Sequence, residues 1–132
     1  MGKYVYFDEK EKVIFADYSG LTLTRAIMEE VIAEYRELAP QLPHKVYAVT
    51  CYANTKVDPA LTDEDYREFA EELAKYRRGV VRYELNDPYT SIGLRSRVVK
   101  YKHQGRNAQI YPTREEALVV VRKLEQHESL QR

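Results

Sequence analysis

The chain has 132 residues, of which 44% are hydrophobic and 32% are charged, and its formal net charge is zero. This length predicts one domain over residues 1–132, with an ordered core at 3–125 and a tail at 126–132. No apolar run approaches the roughly 20 residues of a membrane-spanning helix, and the polar stretch soon after the N-terminus argues against a signal peptide. The composition therefore predicts a cytoplasmic protein without membrane insertion. Zero net charge argues against nucleic acid as a partner.

Apolar runs predict five β-strands. The first two are separated by a short polar stretch, which is typical of an antiparallel hairpin. The third is apolar almost throughout, as expected of a central strand that is buried on both faces. The runs are Tyr4 to Phe7, Val13 to Tyr18, Val46 to Cys51, Val80 to Leu85 and Ala108 to Tyr111.

Segments with apolar residues at helical spacing alternate with the later strands. Thr22 or Thr24 is the expected N-cap of the first helix, and Pro40 and Pro43 close it. A third, short helix is expected around residues 92–101.

Capping motifs mark the other two helices. Thr62 and Asp65 form a capping-box pattern at the start of the second helix, which Gly79 is expected to end, and Thr113 with Glu116 opens the last helix. The order of elements predicts an α/β fold with a mixed five-stranded sheet, an N-terminal hairpin and about four helices.

Polar residues follow several of the predicted strands. In open α/β sheets, ligands bind beyond the carboxyl ends of the strands, so these positions are candidates for a partner or ligand surface. The alternative is that the same side chains cap helices and end turns. The candidate residues are Thr50, Tyr52, Asn54, Thr55, Asn86 and Tyr89.

The single cysteine, Cys51, ends the predicted central strand. It would be a nucleophile if a base lowered its pKa, but none of His44, His103 and His127 can be assigned to it from the sequence. A buried, inert thiol is the more common role of a free cysteine. The dispersed histidines lack metal-ligand spacing, and no glycine-rich phosphate loop is present, so no catalytic residue, metal or cofactor is predicted.

A basic segment without acidic residues lies between residues 95 and 106. It would contact phosphate or an acidic surface, such as the predicted helix at residues 63–72, within one chain or across a dimer. A solvated helix face is the alternative. The twelve tyrosines favour either core packing or an interface, including self-association. The basic residues are Arg95, Arg97, Lys100, Lys102 and Arg106.

Three passages carry a family resemblance: Ser-Gly-Leu-Thr at 19–22, the strand Lys-Val-Tyr-Ala-Val-Thr at 45–50, and Ile-Tyr-Pro-Thr-Arg-Glu-Glu-Ala-Leu at 110–118. With the order of strands and helices, they resemble the SpoIIAA-like branch of the STAS (sulfate transporter and anti-sigma-factor antagonist) fold family. In that family's antagonists, a serine in the loop after the central strand is phosphorylated to control a partner kinase. The serine motif is absent here, and Thr55 is the nearest hydroxyl.

The resemblance implies a non-catalytic protein-interaction or regulatory module that uses the loop from Tyr52 to Asp58 and the helix after it. The alternative is a small-molecule binding domain, for a lipid or a nucleotide, at the strand ends near Thr50, Asn86 and Tyr89. An enzyme that uses Cys51 is the third hypothesis.

Overall fold

The computed structural model describes residues 2–85 and 110–130, with the backbone alone for residues 129 and 130. The strands in this part of the chain are β1 Val5–Asp8, β2 Val13–Asp17, β3 Thr22–Leu23, β4 Tyr47–Cys51, β5 Lys56–Val57, β6 Gly79–Tyr83 and β7 Ile110–Tyr111. The α-helices are α1 Arg25–Leu38, α2 Asp63–Ala74 and α3 Arg114–Leu130, and a 3₁₀ helix at Ala39–Gln41 follows α1.

A mixed five-stranded sheet in the order β1-β2-β4-β6-β7 forms the centre of the fold. Strands β1 and β2 form the antiparallel hairpin, whereas β2, β4, β6 and β7 run parallel to one another. Strand β4 lies in the middle, and all five of its residues are buried. The prediction of an α/β fold with a mixed sheet and a buried central strand is confirmed.

Helices cover both faces of this sheet. The connections from β2 to β4 and from β4 to β6 add strands in the same direction, and right-handed crossovers therefore place α1 and α2 on the same face. Ile14, Ala48 and Val80 point toward these two helices. Alternate strand residues, such as Val49 and Val81, pack with α3 on the opposite face.

Side-chain caps fix where the helices begin. Thr24 is the N-cap of α1, and its hydroxyl accepts a hydrogen bond from the Ile27 N–H at 3.2 Å. Thr62 and Asp65 form the predicted capping box of α2. The Thr113 hydroxyl accepts a hydrogen bond from the Glu116 N–H at the start of α3. Of the two predicted caps for α1, Thr24 is therefore the correct one.

The structure corrects three boundaries. Helix α2 ends at Ala74, and Gly79 begins β6 opposite Tyr47. Glycine is required at this position because a Cβ there would lie 2.7 Å from Tyr47 Cε1. The segment after β4 is not entirely loop, since β5 pairs in parallel with β3 in a separate two-stranded sheet. Residues 126–130, predicted as part of a tail, continue α3.

The described residues contain three α-helices, against about four predicted. The helix predicted at residues 92–101 and the start of the last predicted strand at Ala108 lie outside the described residues. Within the described ranges, no helix is both long and apolar enough to cross a membrane.

Candidate functional site

Three of the residues predicted to form a partner or ligand surface, at the end of β4 and in the loop after it, are buried. Thr50, Tyr52 and Thr55 are 1%, 4% and 0% exposed, so they do not form the accessible surface that was predicted for them. Asn54 is exposed, and its φ of 51° is in the left-handed region that asparagine tolerates better than most residues. Lys56 is also exposed. Asn54 and Lys56 are therefore accessible polar residues of the segment between β4 and α2.

Thr55 has a structural role in this loop. Its hydroxyl donates a hydrogen bond to the Tyr18 carbonyl at 2.8 Å, which ties the loop to the end of β2. A phosphate on this buried hydroxyl would require the loop to open and would break that bond. The other predicted surface residues, Asn86 and Tyr89, and the whole basic segment lie outside the described residues.

A buried polar cluster lies beneath the loop, between the sheet and helices α1 and α2. The hydroxyls of Tyr52 and Tyr66 lie 3.3 Å apart, and Arg77 Nη1 donates a hydrogen bond to the Tyr35 hydroxyl at 3.2 Å. Thr50 and Arg82 lie toward the carboxyl ends of β4 and β6, whereas Arg77 precedes the start of β6. The members of the cluster are Tyr18, Tyr35, Thr50, Tyr52, Tyr66, Arg77 and Arg82.

Burial determines the protonation states in this cluster. It raises the pKa of Tyr18 and Tyr66, so both phenols are neutral at physiological pH. Burial lowers the pKa of Arg82, but the neighbouring phenols of Tyr52 and Tyr66 raise it, and the net shift is upward. The guanidinium therefore keeps its charge inside the protein. The Tyr18 and Thr50 hydroxyls have no hydrogen-bond partner among the described residues.

Register explains why the cluster forms. Thr50 on β4 and Arg82 on β6 are paired positions, so their side chains leave the sheet on the same face. Sequence reasoning included Thr50 and Tyr52 but missed Tyr18, Tyr66 and the two arginines, which are far apart along the chain. The available signal was Arg82, a charged residue inside an otherwise apolar strand.

Cys51 lies on the opposite face of the sheet, in the core beneath α3. Burial raises its pKa, and this effect outweighs hydrogen bonds to Ala53 and Tyr83 that act in the other direction. No histidine among the described residues contributes to the shift. The thiol is therefore protonated at neutral pH, in agreement with an inert, buried cysteine. No group of three potential metal ligands occurs in the described ranges.

A groove of about 450 Å³ separates helices α1 and α2 on the outer surface. Its floor is formed by apolar side chains that include Met28, Ile32, Leu61 and Phe69. Two ion pairs join the helices across it. Arg25 Nη2 lies 2.6 Å from Asp65 Oδ1, and Arg36 Nη2 lies 3.5 Å from Glu72 Oε1. One side of the groove is formed by α2, the helix that follows the predicted loop, but no sequence pattern indicates that α2 packs beside α1.

The carboxylates of these two ion pairs are held in their charged form. Hydrogen bonding to the Thr62 N–H, followed by the Arg25 guanidinium, lowers the pKa of Asp65. Lys75 is the main cause of the lowered pKa of Glu72, to which Tyr76 and Arg36 also contribute. Both pairs therefore remain ionised at neutral pH.

No protein-family model, curated protein or solved structure significantly matches this chain.

Proposed function

We propose that the chain is a non-catalytic protein-interaction or regulatory module that contacts its partner through the loop after β4 and helix α2. The observation that carries this proposal is the exposed surface at that position. Asn54 and Lys56 are accessible beside a helix whose outer side is rich in exposed carboxylates. These acidic residues are Asp63, Glu64, Glu68 and Glu71.

The proposal includes membership of the SpoIIAA-like branch of the STAS fold family. The support is the order of elements: a hairpin, then strands that alternate with helices, and a final strand followed by a helix that begins after Thr113. The burial of Thr55 argues against a phosphate switch at that hydroxyl. Cys51 is the only cysteine and can form no intrachain disulfide, which supports a cytoplasmic location.

Affinity capture with matched variants tests the contact surface. Asn54→Gly combined with Lys56→Ala removes the two exposed polar side chains of the loop, and glycine keeps the positive φ without strain. Lys10→Ala, in the hairpin between β1 and β2 at the opposite end of the sheet, is the control. Wild type and Lys10→Ala should capture the same partner from extracts of the source organism, and the double variant should lose it.

Two results would refute this assignment. One is capture of the same partner by the loop variant and the wild type in equal amounts. The other is the absence of any stoichiometric protein partner of the wild type. In either case, the loop face would not be the contact surface.

The hydroxyls of Tyr18 and Thr50, which have no hydrogen-bond partner within the described part of the chain, favour a second candidate function, that of a small-molecule binding domain. A polar ligand at the strand ends would satisfy both groups. Such a ligand would raise the melting temperature with concentration, because its binding stabilises the folded chain by RT ln(1 + [L]/Kd). A screen of nucleotides and lipids measures this directly, and unchanged melting temperatures throughout would count against this function.

A further inference from the structure

The groove between α1 and α2 is lined by one stripe of each helix. The contributing positions recur at three- and four-residue spacing, which places them on one side of each helix. From α1 these residues are Arg25, Met28, Glu29, Ile32 and Arg36, and from the α2 side they are Leu61, Asp65, Glu68, Phe69 and Glu72. An apolar floor with charged walls is the usual form of a groove that accepts an amphipathic helix.

Charge along this groove is uneven. Four carboxylates and two guanidinium groups line it. The guanidinium groups pair with Asp65 and Glu72, one near each end of the groove. Glu29 and Glu68 lie between those ends, are exposed, and form no ion pair with any residue in the described ranges. Counting only residues 2–85 and 110–128, the middle of the groove therefore has an uncompensated negative charge above an apolar floor.

We propose that this groove binds a basic amphipathic segment of a partner protein. Lysine or arginine side chains of that segment pair with Glu29 and Glu68, and its apolar side chains contact the floor. An acidic or neutral segment would cover the two carboxylates without supplying an opposite charge, which is unfavourable. This inference rests on the proposed function, since it specifies the chemistry of the partner.

Two ion pairs bridge the helices near the ends of the groove. Arg25 pairs with Asp65 and Arg36 with Glu72, and Glu29 and Glu68 line the groove between these pairs. A binding surface that is already formed loses less conformational entropy on binding than a surface that must first become ordered. The groove is already open in this structure, with a volume of about 450 Å³.

A peptide-binding measurement with two charge-matched variants tests the inference. The probe is a fluorescein-labelled amphipathic lysine–leucine peptide, and its counterpart has glutamate in place of lysine. The test variant is Glu29→Gln with Glu68→Gln. The control is Glu115→Gln with Glu116→Gln, which removes the same charge from exposed positions at the start of α3, on the other face of the sheet. Fluorescence anisotropy at low salt measures the affinity of each protein.

The basic peptide should bind the wild type and the control with similar affinity. Each lost surface ion pair weakens binding modestly, so the test variant should bind about tenfold more weakly. The acidic peptide should not bind. Equal weakening in both variants, no weakening in the test variant, binding of the acidic peptide, or no binding of the basic peptide to the wild type would each overturn the inference.

This test can fail separately from the proposed function. If a partner from the source organism depends on Asn54 and Lys56 but binds Glu29→Gln with Glu68→Gln normally, the chain is an interaction module and the groove is not its docking site. If the wild type captures no partner, the proposed function fails, whatever the peptide does.

Discussion

The buried phenols of Tyr18 and Tyr35 differ in their hydrogen bonding. The Tyr35 hydroxyl accepts a hydrogen bond from Arg77, whereas the Tyr18 hydroxyl has no partner among the described residues. Removing a buried hydroxyl without a partner also removes its desolvation penalty. Tyr18→Phe should therefore raise the free energy of unfolding by up to about 1 kcal/mol.

Tyr35→Phe is the matched comparison, because the same atom is removed from a phenol that is also buried. It leaves Arg77 Nη1 without its acceptor and should lower the free energy of unfolding by about 1 to 2 kcal/mol. Urea denaturation of the two variants and the wild type gives both values. If Tyr18→Phe destabilises the protein as much as Tyr35→Phe, the Tyr18 hydroxyl has a partner in solution.

Cys51 allows a direct test of the enzyme hypothesis, because it is the only cysteine. Burial raises the pKa of its thiol above the ordinary value, and only the thiolate reacts with iodoacetamide. At pH 8, the native protein should therefore be alkylated at least about tenfold more slowly than the urea-unfolded chain. Mass spectrometry at timed intervals measures both rates. Faster alkylation of the native thiol would identify an activated cysteine and contradict a non-catalytic role.

At the scale of elements, the cap of α1 distinguishes two threonines that the sequence could not separate. Thr24→Ala removes the hydroxyl that accepts from the Ile27 N–H and should lower the free energy of unfolding by about 1 kcal/mol. Thr22→Ala is the control, because Thr22 is exposed in β3. This substitution should lower the free energy of unfolding by less than about 0.5 kcal/mol. Thermal or urea denaturation that shows a larger loss for Thr22→Ala would place the cap at Thr22.

The sequence predicted those elements whose formation depends on residues close together in the chain. The capping box at Thr62 and Asp65 and the apolar run of β4 are each visible within a few residues of sequence. Strands β3 and β5 have two residues each, and they form only because the loop after β4 returns beside the chain that follows β2. The sequence alone predicts a helix end at Gly79. Its role in the structure is to leave room for the Tyr47 ring, and this role depends on the register of β6 against β4.

The candidate site was harder to predict, because it also depends on contacts between residues that are far apart in the sequence. Polar residues at the strand ends were identified, but burial of Thr50, Tyr52 and Thr55 depends on how α1 and α2 cover that face. Glu29 of α1 and Glu68 of α2 line the same groove because the two helices pack on one side of the sheet. The spacing of residues within each helix shows which of them share one side of that helix. It does not show which side of α1 lies beside which side of α2.

For the whole molecule, the topology determines which surfaces are available to a partner. Parallel crossovers bring α1 and α2 together on one face and the loop after β4 to one end, while α3 covers the other face. The exposed loop residues Asn54 and Lys56 and the acidic side of α2 are therefore accessible together. Cys51 and the phenols of Tyr18, Tyr35, Tyr52 and Tyr66 are buried and are not part of that surface.

Native mass spectrometry of the protein purified from its own source is the decisive experiment on the proposed interaction module. It measures the mass of the intact complex and so identifies whatever remains bound at stoichiometric amounts. We expect a complex of this chain with a second protein, which the Asn54→Gly and Lys56→Ala substitutions together abolish. A bare chain, or a chain with only a bound small molecule, would contradict the assignment of this protein as an interaction module.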